Sequence, residues 1–237
     1  VKLYSVGWLP HLAAVLPALL AASGAQTAVL RLSRNAAGPA EALGYADGQV
    51  LYGHLDDPVV GFQEHGVRFL AHVIHGHKTG YFLDHRHNRH RTAINISLRH
   101  RVGQLAHGHT LLDVFAYAGG FSVHALAHGA RSVTSLDISA QALELAQANA
   151  ALNGHEGQHH ILVADAFEGL ERLRREGQRY DIVVIDPPAF AKQASAVPMA
   201  LRQYARLARL GIPLVARGGL LVLASCSARV AAEDFFA

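Results

Sequence analysis

TLLDVFAYAGGFSVHALAHGARSVTSLDIS, residues 110–139, is the stretch that decides the fold. Its apolar beginning predicts a strand over 110–115, and the pattern then changes to a helix over 121–128 and to a second strand over 132–137. Between the first strand and the helix, Gly119 and Gly120 allow a sharp turn and a close approach of the backbone to a ligand. A strand, turn, helix and strand in this order are typical of a parallel α/β sheet.

The same alternation continues toward the end of the chain. It predicts helices over 140–152, 167–176 and 199–210, and strands over 161–165, 180–186 and 219–225. Five strands separated by helices predict an α/β fold, a Rossmann-like parallel sheet with helices on both faces. In such open sheets, ligands bind beyond the carboxyl ends of the strands.

Residues 1–105 have a different pattern and predict a small α+β N-terminal domain, so that residues 106–237 form the sheet domain. We expect a helix over 9–22, strands over 27–33 and 49–54, and a hairpin over 59–74 that turns at Glu64-His65-Gly66. A further helix, rich in Arg and His, is expected to run from residue 86 to 97.

Composition indicates a globular protein of the cytoplasm. Hydrophobic residues make up 51% of the 237 residues, enough for a sizeable core. The longest apolar stretch, 12–22, contains Pro17 and is shorter than the roughly 20 residues of a membrane helix, so no membrane segment is expected. An export leader is not expected either, and the single cysteine excludes an internal disulfide. The net charge of +3 is compatible with a nucleic-acid partner without requiring one.

The 17 histidines are unusual and raise the question of a metal site. Two groups stand close together in the sequence, namely His72, His75 and His77, and His85, His87 and His90. Their intervals of two and three residues do not match a helical pair of ligands, and the one cysteine is far away. We therefore expect no metal site in the protein and expect the histidines to be solvated or locally hydrogen-bonded.

Four of the predicted strands have an aspartate at or near their carboxyl end: Asp113, Asp137, Asp165 and Asp186. Because the carboxyl ends of parallel strands meet at one edge, these side chains should line one crevice. Asp113 suits a ligand that carries an ammonium group, and Asp137 could accept both hydroxyls of a ribose. Asp165 and Ala166 would then flank an adenine. Each aspartate could instead be a helix N-cap. The glycine spacing after Asp113 is not G-x-G-x-x-G, which argues against a nicotinamide enzyme.

Five segments together resemble one enzyme family. They are KTGYFLDHR (78–86), DVFAYAGGFS (113–122), SLDIS (135–139), DIVVIDPPAF (181–190) and LASCS (223–227). In this order they resemble the class I methyltransferases that use S-adenosylmethionine, and most closely the large-subunit ribosomal RNA methyltransferases that make 5-methylcytosine. The resemblance implies a Rossmann-like fold, S-adenosylmethionine as cofactor and ribosomal RNA as partner, and a dimer is compatible with it.

The resemblance also implies roles for individual residues. Cofactor binding is implied for Lys78, Thr79, Tyr81, Asp84, Arg86, Asp113, Phe115, Ala116, Gly119, Asp137, Ile138, Asp165, Ala166 and Asp186. Binding of the target base is implied for Pro187, Pro188 and Phe190, and catalysis for Cys226 and Asp186.

The chain departs from the family at several positions. Ala118 stands where the family often has threonine, and His77 and His85 stand where glutamines are common. We also expect that the domain lacks its two final strands and that the usual N-terminal RNA-binding module is missing, as in a fragment or a truncated protein.

Cys226 is the residue that separates the possible reactions. Carbon 5 of cytosine takes a methyl group only after a thiolate has added to C6, so a C5 methyltransferase needs a cysteine nucleophile. The alternatives are a buried structural cysteine, a guanine-N7 or other base methyltransferase that needs no thiol, and an RNA-binding remnant without activity. A position at the end of the fifth strand, in the crevice, favours the nucleophile. Phe190 would stack on a base extruded from its duplex, and Asp186 would contact the N3 edge of the cytosine.

Overall fold

The computed structural model describes residues 1–74, 76, 80–82 and 98–236. The chain forms two compact units, of which the first comprises Val1–Phe62 and Leu70–Leu83 and the second Gln63–Phe69 and Asp84–Ala237. The expected boundary at residue 105 differs from this division, because helix α3 (Leu98–Leu105) belongs to the second unit. The expected Arg- and His-rich helix over 86–97 lies outside the described residues.

The first unit is built from short elements around a small leucine-rich core. In chain order it has β1 (Lys2–Leu3), a 3-10 helix (Val6–His11), α1 (Leu12–Ser23), β2 (Ala28–Val29), β3 (Arg31–Leu32), α2 (Arg34–Glu41) and β4 (Val50–Tyr52). β1 pairs in parallel with β3, and β2 pairs antiparallel with β4. Helix α2 was not predicted, because Gly38 and Pro39 within it are poor helix formers.

The N-terminal helical segment is longer than the helix predicted over 9–22. The 3-10 helix and α1 together form a run, Val6–Ser23, that by length and composition could cross a membrane. A single such run near the N-terminus is weak evidence, since helices of soluble proteins and signal sequences have the same properties. Leu9 and Leu12 of this run are buried against Leu30 and Leu32 in the core of the unit.

The predicted hairpin is present and turns where the sequence indicated. β5 (Val59–Glu64) pairs with β6 (Val67–His72). His65 and Gly66 form the turn with φ of 50° and 80°, the left-handed pair that a tight two-residue hairpin turn requires. The hairpin tip, Gln63–Phe69, belongs to the second unit.

The second unit contains the predicted parallel sheet. After α3 come β7 (Thr110–Val114), α4 (Gly120–Ala127), β8 (Ser132–Asp137), α5 (Ala140–Leu152), β9 (His159–Val163), α6 (Ala166–Arg175), β10 (Tyr180–Ile185), α7 (Val197–Gly211), β11 (Val215–Leu223) and α8 (Ala232–Phe236). The strands lie in the order β11-β10-β7-β8-β9, all parallel. This is the Rossmann-like order expected from the sequence, with the first strand central and the chain crossing back over it.

The central strands are buried on both faces of the sheet, so their sequences are almost continuously apolar. Leu112, Val114, Val183 and Ile185 of β7 and β10 are fully buried, because helices cover both faces of the sheet. Leu136, Leu170, Leu173, Leu207 and Leu214 complete this core with side chains from β8, α6, α7 and the turn before β11.

Two strands of the sheet differ from the prediction by two residues or more at each end. β9 spans His159–Val163 and ends two residues before Asp165, because Asp165 caps α6. β11 spans Val215–Leu223 instead of the predicted 219–225, so it begins four residues earlier and passes through Gly218 and Gly219. The glycines fit inside the strand because its pairing with β10 shifts register there, and a bulge absorbs the extra residues.

A buried polar cluster binds the hairpin tip to the helices of the second unit. Glu64 accepts hydrogen bonds from Arg99 at 3.4 Å and from the Nε2 of His124 at 3.1 Å, and all three side chains are buried. Burial alone would raise the pKa of Glu64, but the His124 hydrogen bond and the Arg99 charge lower it. Beside this cluster, the Asn153 side chain bonds the backbone N–H and C=O of Arg68. The ionised Glu64 therefore has partners that compensate its burial.

The close packing of α6 on β8 predicts a cost for a single added methyl group. A Cβ at Gly169 would lie 2.7 Å from the Cδ1 of Leu136, whose side chain is fully buried. We expect Gly169→Ala to lower the free energy of unfolding by about 1 to 3 kcal/mol, because overpacking exceeds the gain in helix propensity. Urea unfolding of the variant measures this change.

Gly157→Ala is the matched control, because no atom lies within 4 Å of its added Cβ. The free energy of unfolding of this variant should be unchanged or should rise by up to about 1 kcal/mol, because alanine makes the unfolded chain less flexible. Equal stability of the Gly169 and Gly157 variants would contradict tight packing of α6 on β8.

Candidate functional site

The strand register brings the carboxyl ends of the sheet to one level. Val114 lies opposite Leu136 of β8 and Ile185 of β10, and Ile185 lies opposite Leu223 of β11. The next residues along these strands therefore form a row at one edge of the sheet: Asp137, Phe115, Asp186 and Ala224. Of the four aspartates named from the sequence, Asp137 and Asp186 lie in this row, whereas Asp113 lies within β7 and Asp165 follows β9 by two residues. Open α/β sheets bind ligands at this edge.

The loop between β7 and α4 has an unusual backbone. Phe115 and Tyr117 have φ of 65° and 50°, and Gly119 has φ of 77°. Left-handed conformations of non-glycine residues cost energy and concentrate at functional sites. The loop is held by hydrogen bonds from the backbone N–H of Phe115 and of Ala116 to the carbonyl of Leu136, at 2.9 and 3.1 Å. The strained turn is therefore fixed against the neighbouring strand.

Gly119 is required at its position for two reasons. Its positive φ disfavours any side chain, and an added Cβ would lie 3.0 Å from the Cβ of Ala146 on α5. Asn149 of the same helix donates a hydrogen bond to the carbonyl of Ala118 at 2.9 Å. Helix α5 therefore packs directly on the loop. Ala118, which departs from the family, takes part in this contact through its backbone.

Asp113 lies beneath the loop and is almost fully buried. Its Oδ2 accepts hydrogen bonds from the backbone N–H of Ser122 at 3.1 Å and from the Ser122 hydroxyl at 2.7 Å. Burial and the nearby charge of Asp186 raise the pKa of Asp113 to about 7, against the opposing effect of the Ser122 bonds. In this structure Asp113 supports the first turn of α4, and its direct contact with a cofactor remains a prediction.

Asp137 remains open to a ligand while it holds the loop. One carboxylate oxygen accepts the backbone N–H of Tyr117 and the other that of Ser139, both at 2.9 Å. Each oxygen keeps a lone pair, and the side chain is only partly buried. The next residue, Ile138, is 72% exposed although it is large and apolar. A carboxylate beside an exposed apolar side chain suits a ribose with its attached base.

Asp165 has the capping role that the sequence left open as an alternative. Its Oδ1 accepts the backbone N–H groups of Phe167 at 2.9 Å and of Glu168 at 3.4 Å, at the start of α6. Ala166, the first residue of α6, is buried. Capping uses one carboxylate oxygen, so a ligand contact by Asp165 stays a prediction.

The fourth and fifth strands bring Asp186 and Cys226 to the same side of the crevice. The backbone N–H of Asp186 bonds the carbonyl of Val114 at 3.3 Å, and that of Ala224 bonds the carbonyl of Ile185 at 3.0 Å. Two residues later, the Cys226 thiol is exposed and lies 3.7 Å from the carbonyl of Pro187. The thiol therefore lies against the loop that follows β10.

The loop after β10, which we call the proline loop (187–190), contains the three residues predicted to bind the target base, and they differ in exposure. Pro187 is buried, Pro188 is exposed and Phe190 is half-buried. The Phe190 ring packs on Tyr204 with centroids 5.0 Å apart. Packing against Tyr204 covers one part of the Phe190 ring, and its stacking on a base stays a prediction.

Tyr204 is a residue of this site that the sequence analysis missed. It is buried on α7, and its hydroxyl bonds the Ser225 hydroxyl at 2.9 Å and the Ser227 hydroxyl at 2.8 Å. Ser227 in turn accepts the backbone N–H of Ala191 at 3.4 Å. The two serines that flank Cys226 are thus anchored to α7 and to the proline loop. A tyrosine on the apolar face of a predicted helix was the available signal.

The remaining predicted cofactor residues belong to the segment after β6. Lys78, Thr79, Asp84 and Arg86 lie outside the described residues. Tyr81 is described as part of the first unit, where it is buried with its ring edge on Phe62 at 4.7 Å. The contribution of this segment to cofactor binding stays a prediction.

The raised pKa of Asp113 predicts an unusual dependence of stability on pH. Between the ordinary aspartate value and about 7, the folded protein keeps a proton that the unfolded chain has lost. Stability therefore falls as pH rises through this interval. Asp113→Asn cannot ionise, so its free energy of unfolding should rise relative to wild type between about pH 5 and about pH 8. Urea unfolding at both pH values measures the difference.

Asp181→Asn supplies the control for this measurement. The Thr110 backbone N–H, with further help from the Thr110 hydroxyl, lowers the pKa of Asp181. Asp181 is then ionised in both folded and unfolded chains above about pH 5, so this variant should differ from wild type by a constant amount. The assignment for Asp113 fails if its Asn variant also follows the wild-type pH profile in parallel.

Comparisons with known proteins agree with this geometry. Residues 16–236 match the family model of S-adenosylmethionine-dependent methyltransferases. A ribosomal RNA large subunit methyltransferase of Deinococcus radiodurans is 46% identical over 99% of this chain and 55% of its own length. Ribosomal RNA large subunit methyltransferase I of Aeromonas hydrophila is 38% identical over 75% of this chain and 43% of its own length. The chain thus spans about half the length of these relatives.

Solved structures show the same fold. A protein designated a methyltransferase and solved in complex with SAH superposes with a TM-score of 0.71, at 26% identity, over 89% of this chain and 50% of its own. A structure from Streptococcus mutans, designated SAM-dependent methyltransferase, gives a TM-score of 0.79 at 24% identity over 99% of this chain and 56% of its own. Because the family model matches residues 16–236, nearly the whole length, the chain belongs to the S-adenosylmethionine-dependent methyltransferases.

Proposed function

We propose that the protein transfers a methyl group from S-adenosylmethionine to C5 of a cytosine in large-subunit ribosomal RNA, through a covalent adduct on Cys226. The observation that carries this proposal is the exposed thiol of Cys226 against the Pro187 carbonyl, at the crevice edge that also holds Asp137 and Asp186. The substrate class follows the names of the two relatives, both large-subunit ribosomal RNA methyltransferases. A cytoplasmic location is proposed on the same basis.

The β7–β8 side of the crevice fits the cofactor. Asp137 has a lone pair on each oxygen for the ribose hydroxyls, and the exposed Ile138 offers an apolar face for adenine. The backbone of Phe115, Ala116 and Gly119 would lie close to the cofactor. Gly119 allows this loop to pack on α5, because a Cβ at this position would crowd the helix. When bound, S-adenosylmethionine supplies an electrophilic methyl group.

The β10–β11 side supports the chemistry on the base. Strands spaced about 4.8 Å apart separate β11 from β7 by about 10 Å, so the thiol lies beside the cofactor region without overlapping it. The Cys226 thiolate would add to C6 of the cytosine, and the electron pair displaced from the C5–C6 bond would form the bond from C5 to the methyl carbon. The bond from that methyl carbon to the cofactor's sulfur would break at the same time, with S-adenosylhomocysteine as the leaving group. Loss of the C5 proton to water would then return the electron pair and expel the thiolate.

Asp186 would contact the N3 edge of the same cytosine. A hydrogen bond there, with a proton shared between the carboxyl group and N3, offsets the charge that builds up on the ring as the thiolate adds. Asp186 directly follows β10, and its backbone N–H is held by a hydrogen bond to the carbonyl of Val114 on β7. Pro187 and Pro188 would border the base, and Phe190 would stack on it.

Tyr204 and the two serines hold the nucleophile in place. Because Ser225 and Ser227 both bond the Tyr204 hydroxyl, the backbone on either side of Cys226 is tied to a buried helix. A thiol fixed in this way loses little conformational entropy when it attacks, which is the benefit of a preorganised nucleophile.

Asp137→Ala tests the cofactor half of the site. We expect it to weaken binding of S-adenosylhomocysteine by about 1.5 to 3 kcal/mol, the value of hydrogen bonds to a charged group, or about 10- to 150-fold in Kd. Titration calorimetry measures the affinity. Asp181→Ala is the control, because Asp181 is the second residue of β10 and lies at the opposite end of the strands from the crevice. If Asp137→Ala binds with wild-type affinity, Asp137 is not a ribose ligand.

Cys226→Ser tests the reaction half. The variant should lose methyl transfer to large-subunit RNA from cells that lack the enzyme, measured as 5-methylcytidine by nucleoside mass spectrometry, while it keeps cofactor affinity. RNA with 5-fluorocytosine at the target should trap wild-type protein covalently, because fluorine cannot leave as a proton does. The same RNA should not trap the Ser variant. Transfer by Cys226→Ser at the wild-type rate would show a structural thiol and move the substrate to a ring nitrogen.

A further inference from the structure

Three histidines outside the methyl-transfer crevice meet between α3 and α4 of the second unit. His124 lies on α4, His128 is the C-cap residue of the same helix four positions later, and His100 lies on the facing helix α3. One ring nitrogen of each lies within 4.8 Å of the others. The i, i+4 pair on one helix face is the spacing with which a helix presents two imidazoles to a metal ion. The sequence analysis had considered other histidine groups.

His124 has the hydrogen-bonding pattern of a metal ligand. Its Nε2 is engaged by Glu64 at 3.1 Å, which places the proton on Nε2 and the lone pair on Nδ1. The side chain is fully buried, and no donor among the described residues reaches its Nδ1. A buried lone pair without a donor costs free energy unless something binds it. Metal-ligating histidines commonly bond a carboxylate through the other ring nitrogen, as His124 bonds Glu64.

His128 is oriented in the same manner. Its Nδ1 lies 2.7 Å from the backbone carbonyl of His124, which can only accept, so Nδ1 carries the proton and Nε2 the lone pair. The rings of His128 and His100 lie edge to face with centroids 4.5 Å apart. The Gln104 side chain lies 3.2 Å from the Nε2 of His100 and supports that ring from α3.

The charges around the cluster are compatible with a cation. Arg99 lies close by, but its charge is paired with Glu64 at 3.4 Å. His65 of the hairpin tip stands 5.1 Å from His100 by ring centroids. Among the described residues, the carboxylate at this cluster is that of Glu64, which bonds His124, so the donor set facing the ion consists of imidazole nitrogens. Neutral imidazoles suit zinc and its neighbours in the first transition row rather than calcium or magnesium.

We propose that His100, His124 and His128 bind one zinc-type divalent ion that joins α3 to α4. Nitrogens at about 2.0 to 2.1 Å from a tetrahedral ion are about 3.3 Å apart, so the three rings would close by about 1.5 Å on binding. A water molecule would take the fourth position, as in other three-histidine sites.

The ion would stabilise the wall of the methyl-transfer site. Helix α4 begins at Gly120, directly after the strained loop, and the Arg99 side chain of α3 packs on it so closely that a Cβ at Gly120 would lie 2.5 Å from Nε. Fixing α3 on α4 therefore also fixes Arg99 against the start of α4. The role of the metal is structural, since the cluster is separate from the row of strand ends.

Equilibrium dialysis of the 237-residue chain with Zn²⁺ and with Co²⁺ tests this proposal. In dialysis, wild type should bind one ion per chain at micromolar metal. Its Co²⁺ form should show the intense visible absorption of four-coordinate Co²⁺. In thermal unfolding, wild type should have a higher Tm with Zn²⁺ than without it. His100→Gln and His128→Gln should each weaken Zn²⁺ binding by at least about 10- to 100-fold. Replacing a residue that only hydrogen-bonds a metal ligand already causes a loss of this size, and these variants remove a ligand itself. Both variants should lose the Zn²⁺-dependent shift in Tm.

His160→Gln is the matched control, because the chain has 17 histidines that could bind metal weakly. His160 is exposed on β9 of the same unit, and its variant should retain the bound ion and the spectrum. Circular dichroism confirms that each variant is folded before its affinity is compared. Absence of stoichiometric binding by wild type, or wild-type affinity in folded His100→Gln and His128→Gln, would overturn the proposal.

Discussion

The pairing of β7 with its two neighbours is the constraint on which the rest of the structure depends. Val114 lies level with Leu136 on one side and with Ile185 on the other, so Phe115, Asp137 and Asp186 leave the sheet at one height. A parallel register offset by one residue would reverse the face of every side chain and move buried leucines into solvent. The hydrophobic core and the crevice are therefore fixed by the same hydrogen bonds. Function then follows from which polar residues stand just past the last buried position of each strand.

The crevice divides into two halves with different physical properties. On the β7–β8 side, a strained backbone and a half-buried carboxylate leave room for a nucleoside, while buried Asp113 holds the helix below them. On the β10–β11 side, the thiol and its flanking serines are connected through Tyr204 to α7. Asp186 connects the two halves, because its charge also raises the pKa of Asp113. Loss of one half therefore need not disturb the other, and this separation allows binding and chemistry to be tested independently.

Most of the sheet could be predicted from the sequence, because period and burial agree in its strands. Helix α5 has the predicted bounds, and β8 does as well, since Ser139 and the strand-end Asp137 mark the boundary between them. The sequence could not fix the ends of β9 and β11, where a capping aspartate and a glycine bulge resemble other features locally. Tyr204 and His100 were missed because their partners lie on other elements, and one sequence contains no direct record of which helices face each other. The pair of His124 and His128 was missed although its i, i+4 spacing in the predicted helix over 121–128 was an available signal.

The central claim is that the methyl donor lies across the ends of β7 and β8, with its reactive end toward β10 and β11. A crystal structure of the chain with S-adenosylhomocysteine tests this most directly. The account predicts both ribose hydroxyls within hydrogen-bond distance of the Asp137 carboxylate, adenine on Ile138, and the sulfur directed toward Asp186 and Cys226. A ligand bound elsewhere, or one whose sulfur points away from the Cys226 side, would contradict it.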